Sequence, residues 1–253
     1  MDFEVAALDA EIGAEIVGLD LDRRIGEATR RALYEAWLKA GILLFRGIGT
    51  SSERQLTLSR CFGELDVHPI EAIRLAGQPE IICLSSKGDN DPILHSFDGE
   101  VVAGMIPWHT DLIYTPTPCR GGLLRMVERP AKGGETAWID TAAAYAALPE
   151  RTRQQIDGLE ARFDFIADIC DMRFGRPERL GHISMGSTEY PEFPDVAHPL
   201  VWTHPESGLR SLCLSPINLI DVADSPESLA RSVETLRAHC RERDRNSAQL
   251  PAR

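Results

Sequence analysis

The 253-residue sequence predicts one mainly β domain, an all-β barrel or double-sheet jelly roll, flanked by helices. Three observations support this class. Short apolar segments recur along most of the chain. Helical periodicity is confined to a few segments near the front and one near the end. No repeat, low-complexity stretch or linker divides the sequence.

The helices are predicted from apolar residues at helical spacing and from boundary residues. Residues 27–40 have this spacing, and Gly41 ends the run. A second helix is expected to start near 50–53 and to end at Gly63, and a short one is expected over 142–148. Ser225 and Pro226 are typical of the start of a last helix.

The strands are predicted from short apolar or alternating runs between turn residues. They cover 42–45, 81–85, 123–127, 136–139 and 161–168, with a hairpin formed by 199–203 and 210–215. Residues 171–198 are rich in Gly and Pro and have little periodicity, as in a functional or mobile loop.

Composition excludes several classes of protein. The net charge of −12 argues against nucleic acid as a partner, because such binding needs a basic surface. No run of about 18 apolar residues is present, so we expect no membrane span. The acidic N-terminus does not resemble a signal peptide, and the six cysteines are scattered with no CxxC. We therefore expect a cytoplasmic protein with reduced thiols.

The segment Ile106–Asp111 (IPWHTD) offers the clearest chemistry. In a strand, His109 and Asp111 would point to the same face and present an imidazole and a carboxylate together. That is two thirds of a 2-His-1-carboxylate iron site, although an HxD pair alone is more often an exposed polar pair.

Four further histidines are available to complete such a site, namely His182, His198, His204 and His239. A zinc hydrolase built on His109, Asp111 and His204 is an alternative on ligand type alone, but it lacks an obvious general base.

Further motifs follow in a specific order: KGGET at 132–136 and HPLVWTHPESG at 198–208, preceded by IGAEIVGLDL, ILLFRG and CFGELDVHP near the N-terminus. Together with the HTD segment they resemble the taurine dioxygenase / 2,4-dichlorophenoxyacetate dioxygenase family of Fe(II)- and 2-oxoglutarate-dependent oxygenases. The resemblance extends to about residue 238. It implies a double-stranded β-helix (jelly-roll, clavaminate-synthase-like) core.

The resemblance also implies roles for individual residues. His109 and Asp111 match the first two iron ligands, and Thr136 matches the threonine that binds the 2-oxoglutarate carboxylate. His68 matches a position that lines the substrate pocket. The alternatives are a β-branched strand residue for Thr136 and a partly buried structural histidine for His68. Glu71 stands where taurine-specific members have an aromatic residue, which argues against taurine.

The implied activity is hydroxylation of a small, anionic organic acid with Fe(II) as cofactor, 2-oxoglutarate as co-substrate and O2, releasing succinate and CO2. Family members are commonly dimers or tetramers, so a homo-oligomer is expected. Arg173, Arg176 and Arg179 could contact an anionic substrate, although solvated loop charges are the commoner role of such residues.

In the family, a distal histidine ligand and a 2-oxoglutarate-binding arginine follow the last helix. Residues 241–253 match no such motif, and the resemblance assigns His204 to a hairpin turn rather than to the metal. We therefore expect a dioxygenase-like domain over 1–240 that is incomplete at its C-terminus and lacks its last core strands, followed by a disordered tail. The alternative activity is that of an impaired or inactive family remnant.

Overall fold

The computed structural model describes residues 2–85, 94–103, 106–131, 133–184, 186 and 188–222. The α-helices of these residues are α1 (Glu27–Ala40), α2 (Ser52–Ser59), α3 (Thr141–Ala146) and α4 (Glu150–Ile156). Two 3₁₀ turns cover Glu71–Ile73 and Ile169–Asp171. Within this described part, no helix is both long and apolar enough to cross a membrane.

Strands outnumber helices in the described part of the chain. They are β1 (Glu4–Ala7), β2 (Ala14–Val17), β3 (Leu43–Phe45), β4 (Arg74–Leu75), β5 (Gln78–Ile82), β6 (Leu94–Phe97), β7 (Glu100–Ala103), β8 (Glu160–Phe163), β9 (Leu180–Ser184), β10 (Val196–Pro199), β11 (Val201–Thr203), β12 (Arg210–Leu212) and β13 (Leu219–Val222). This content is consistent with the predicted jelly roll.

The N-terminal half packs α1 and α2 with a three-stranded sheet in the order β1-β2-β3. Leu33 of α1 and Leu58 of α2 are fully buried in this cluster with Ile16. The predicted helix over 27–40 is confirmed, and Gly41 ends it with a positive φ of 72° that favours glycine.

The second core lies around the sheet β10-β8-β13 and the hairpin β11-β12. Phe163 of β8, Ile113 and Leu200 are fully buried there. The hairpin confirms the prediction for 199–215, with strands that are shorter than predicted. Because Ile113 lies two residues after Asp111, this core packs directly next to the candidate site.

A third sheet has the order β7-β6-β9 and brings together residues distant in sequence. The pairing of β6 with β9 places His95 opposite His182. The stretch 171–198, predicted to be irregular, therefore contains strand β9 and most of strand β10.

Two predicted strands are absent from the structure. Residues 123–127 and 136–139 are irregular, and Leu124, Met126 and Val127 of the first run are exposed. A side chain of α2 contacts the first run instead of a neighbouring strand: Gln55 donates to the backbone carbonyl of Leu123 at 3.1 Å and accepts from the side-chain Nε of Arg125 at 2.8 Å. The helix predicted from Ser225, His239 and the boundary at 240 lie outside the described residues.

Candidate active site

His109 and Asp111 meet, as the sequence predicts. The distance from His109 Nε2 to Asp111 Oδ1 is 3.1 Å. The other ring nitrogen, Nδ1, donates to the carbonyl oxygen of Pro107 at 2.8 Å. That bond fixes the ring and leaves Nε2 as the nitrogen facing the carboxylate, which is the arrangement seen for metal-binding histidines. The two side chains are 36% and 64% exposed, so solvent and ligands reach them.

The predicted reason for this meeting is wrong, because residues 109–111 do not lie in a strand. A series of turns follows Asp111, and Leu112 has a left-handed φ of 55°. The amide of Cys119 donates to the carbonyl of Asp111 at 3.2 Å and closes the loop. The pair is therefore held by a compact turn rather than by the two-residue period of a strand.

The electrostatics of the pair favour one shared proton. The hydrogen bond to Asp111 raises the pKa of His109 above its ordinary value, against the opposing effect of burial. The same bond lowers the pKa of Asp111, again against burial. Without a metal the bond therefore favours an imidazolium paired with a carboxylate over a wider pH range than in the separate groups. A cation would take the place of the proton on Nε2.

Gly122 and Tyr114 lie near Asp111. A Cβ at Gly122 would lie 3.5 Å from Asp111 Oδ2. Tyr114, which is buried, has its pKa raised to about 12 by desolvation and by the charge of Asp111. Tyr114 is therefore a neutral phenol near the pair at physiological pH.

A buried polar network anchors the HTD segment to the C-terminal strands. The hydroxyl of Ser215 accepts from the amide of Thr110 at 3.2 Å and donates to Asn218 Oδ1 at 2.9 Å. Ser215 is fully buried. Sequence reasoning missed Ser215 and Asn218, because no local motif marks a serine that bonds to a segment 105 residues away.

His198 is also part of this anchor. Its buried ring contacts the carbonyl oxygens of Ile113 and Thr115 through Nε2, at 3.0 and 3.1 Å. The structure therefore gives one of the four candidate second histidines a supporting role next to the pair.

His68 lies close enough to Asp111 for each group to affect the pKa of the other. Partial burial lowers the pKa of His68. The amide of Ile70 donates to its Nδ1 at 3.2 Å, and Arg74 donates to its carbonyl at 2.7 Å. His68 is thus a fixed, neutral imidazole near the pair, whose role in substrate binding stays a prediction.

Thr136 is less clearly connected to the site. It is exposed and lies in an irregular segment after Gly133 and Gly134, which both have positive φ. No hydrogen bond among the described residues joins Thr136 to His109 or Asp111. Its role as a 2-oxoglutarate ligand therefore stays a prediction.

Other predicted candidates are bound to different protein groups. His204 Nδ1 accepts from the amides of Glu206 and Ser207 inside the β11-β12 turn. The arginines of the 171–198 stretch contact protein oxygens of Ile220, Leu180 and Asp98.

The potential metal donors divide into two places. Across residues 2–85, 94–103, 106–131, 133–184, 186 and 188–222, no third His, Cys, Asp or Glu completes a cluster around His109 and Asp111. The one compact cluster in these ranges comprises His95, Asp168 and Cys170. The zinc hydrolase built on His109, Asp111 and His204 thus has no support in the described part of the chain.

Comparison with known proteins identifies the family of this chain. Residues 4–252 match the family described as taurine catabolism dioxygenase TauD, TfdA family. An (S)-phenoxypropionate/alpha-ketoglutarate-dioxygenase of Delftia acidovorans is 29% identical over 246 residues, covering 91% of this chain and 78% of that protein. An alpha-ketoglutarate-dependent sulfate ester dioxygenase of Pseudomonas putida is 30% identical, covering 85% of this chain and 66% of that protein.

A solved structure shows the same fold. The taurine dioxygenase from Burkholderia xenovorans superimposes with a TM-score of 0.68 at 25% identity, covering all of this chain and 78% of that one. The fold and the family model define a dioxygenase of the 2-oxoglutarate-dependent class. The chain belongs to the TauD/TfdA family.

Proposed function

We propose that this protein is an Fe(II)- and 2-oxoglutarate-dependent dioxygenase that hydroxylates a small anionic organic substrate with O2, releasing succinate and CO2. The observation that carries the proposal is the 3.1 Å approach of His109 Nε2 to Asp111 Oδ1, with Nδ1 held by Pro107. An imidazole nitrogen and a carboxylate oxygen are two of the three donors that a non-haem iron site of this kind uses.

The two residues fit the ion. Nε2 faces the carboxylate, and the proton that it carries is the group that a metal replaces. His109 and Asp111 would hold Fe(II), and the bound ion supplies the oxidising chemistry of the reaction. The protein's own residues fix the two donors through Pro107 and the turn after Asp111, and Tyr114 offers a neutral hydroxyl nearby.

The co-substrate and substrate would lie on the open side of the pair. We assign Thr136 to the carboxylate of 2-oxoglutarate and His68 to the substrate pocket. The partly buried ring of His68 supports the second assignment, because a half-buried imidazole close to Asp111 can line a substrate pocket. The relatives named after phenoxypropionate and sulfate esters support a small organic anion as substrate.

The same proposal extends to the core, which we assign to a double-stranded β-helix, and to a protein of the cytoplasm that assembles as a homo-oligomer. The large share of β-structure in the described residues and the superposition on a taurine dioxygenase support the core assignment.

A second candidate is a catalytically impaired family member that binds the ion weakly. The described residues favour it in one respect, since they place two donors together and no third within the same cluster. Two donors chelate Fe(II) less strongly than three.

The test is an anaerobic titration of the full chain with Fe(II) and 2-oxoglutarate, monitored by the visible charge-transfer band of the chelate. Admission of O2 with panels of phenoxy acids and alkyl sulfate esters follows, and succinate is measured. We expect a saturable band and succinate formation, and the loss of both in His109→Ala and Asp111→Ala.

His204→Ala is the matched control, because that ring is held inside a hairpin turn. It should retain both signals. Absence of the band in the folded wild-type protein would overturn the proposal in favour of the impaired family member.

A further inference from the structure

A second cluster of metal-binding side chains lies between the β6-β9 sheet and the turn at Ile169–Asp171. Asp168 contacts two histidines of that sheet: its Oδ1 is 3.0 Å from His95 Nε2, and its Oδ2 is 2.8 Å from His182 Nδ1. The carboxylate therefore bridges two imidazoles that strand pairing places opposite each other.

Cys170 adds a sulfur donor to this group. Its backbone amide donates to Asp168 Oδ1 at 2.8 Å, which holds the two residues in one turn. One donor atom each from His95, Asp168 and Cys170 lies within 4.8 Å of the other two. A thiolate, an imidazole and a carboxylate are the ligand types of zinc sites, whereas magnesium and calcium prefer oxygen alone.

The ring of His95 provides an independent indication of a missing partner. Its side chain is only 3% exposed, and Nδ1 has no hydrogen-bond partner among the described residues. An unpaired polar atom in a buried site calls for an explanation, of which an absent ion is one. His95 thus has a nitrogen that no described protein group uses.

The environment suits a tightly held cation. The side chains of Ile169, Met172 and Leu180 form a buried apolar cluster next to Cys170. Asp168 is 13% exposed, and its pKa is lowered to about 2 because hydrogen bonds from Cys170, His95 and His182 outweigh desolvation. The carboxylate is therefore ionised at neutral pH. His182 is 46% exposed and leaves a path from solvent.

We propose that His95, Asp168 and Cys170, with His182 at the solvent side, form a zinc-type metal site separate from the His109–Asp111 pair. The ion would link the β6-β9 sheet to the segment after β8. Its expected role is structural, because the link joins two parts of the chain that are distant in sequence.

The test uses the full chain, stripped of metal with a chelator and titrated with Zn(II) and with Co(II). We expect one tight equivalent, a thiolate-to-Co(II) absorption band and a higher melting temperature with Zn(II). The double variant His109→Ala/Asp111→Ala should retain all three, which separates this site from the proposed iron site. Cys170→Ser should lose the band and bind at least about 10- to 100-fold more weakly.

Cys119→Ser is the matched control, since Cys119 is the cysteine whose amide bonds to Asp111. It should keep the band. His182→Gln, a change at an exposed side chain, covers the case in which Cys170→Ser does not fold, and it should weaken Zn(II) binding. Retention of the thiolate band in Cys170→Ser, or unchanged Zn(II) affinity in His182→Gln, would overturn the proposal.

Discussion

The buried imidazole of His198 is bonded to the carbonyl oxygen of Ile113, with a distance of 3.0 Å from Nε2 to that oxygen. The same nitrogen lies 3.1 Å from the carbonyl of Thr115. Since a carbonyl oxygen only accepts, Nε2 carries the proton and donates to both. The ring thereby connects β10 to the turn that follows Asp111.

Replacement of His198 by leucine should lower the free energy of unfolding by about 2–3 kcal/mol, because it leaves two carbonyl groups without their donor. Urea denaturation followed by circular dichroism measures this loss. Fe(II) affinity should fall as well, because the turn that positions Asp111 loses its anchor. His204→Ala removes a ring from an exposed turn and should cost less than about 1 kcal/mol. Equal losses in the two variants would contradict the anchoring role.

The side chain of Phe163 is the centre of the second core, since it is fully buried in β8 between β10 and β13. Phe163→Ala should destabilise the protein by about 3–5 kcal/mol through lost burial and the cavity left behind. Phe97 of β6 is 39% exposed, so Phe97→Ala should cost much less. Comparison of the two urea midpoints at equal slope tests the difference.

Gly121 leaves room for the ring of Trp37 on α1. A Cβ there would lie 2.6 Å from Trp37 Cζ2. The ring packs edge-to-face against Tyr34 and Phe62, so it does not move away freely. Gly121→Ala should therefore cost about 1–3 kcal/mol through overpacking and should change the near-ultraviolet dichroism.

Gly122→Ala is the neighbouring control, because its nearest contact, at 3.5 Å, is ordinary. If Gly122→Ala destabilises the fold as much as Gly121→Ala does, the clash with Trp37 is not the cause.

The protein should lose stability at alkaline pH through a buried thiol. Burial raises the pKa of Cys213 from 9.0 to about 12, so the folded protein keeps a proton that the unfolded chain releases. The free energy of unfolding is therefore unaffected by this thiol below pH 9. It falls by about 1.4 kcal/mol per pH unit as the pH rises from 9 toward 12.

Urea unfolding at about pH 8, 9 and 10.5 should show a shallower decline for Cys213→Ala than for the wild type. Cys83 is exposed, so Cys83→Ala should follow the wild-type slope. Parallel slopes for all three proteins would show that Cys213 ionises at similar pH in both states.

Short-range sequence patterns predicted the elements that depend on neighbouring residues alone. Apolar spacing and Gly41 gave the bounds of α1, and turn residues located the β11-β12 hairpin. The meeting of His109 and Asp111 was also predicted, but the strand expected to produce it is a turn. A left-handed leucine at 112 has no sequence signal, because its conformation depends on packing from outside the segment.

Long-range contacts explain the remaining differences. The run at 123–127 has the composition of a strand, yet the Leu123 carbonyl is bonded to the side chain of Gln55 on α2 rather than to a neighbouring strand. Ser215 and His198 form hydrogen bonds with Thr110 and Ile113, which lie far earlier in the sequence. The cluster around Asp168 depends on the pairing of β6 with β9, which no local pattern specifies.

The bond from the amide of Thr110 to the hydroxyl of Ser215 couples ion binding at the HTD segment to the folding of the C-terminal strands. This bond anchors the turn that holds His109 and Asp111 to the residues near Ser215. Any ion that prefers the assembled pair must therefore stabilise the C-terminal strands by mass action. Conversely, local opening of those strands should weaken the binding of such an ion, although neither His109 nor Asp111 had changed.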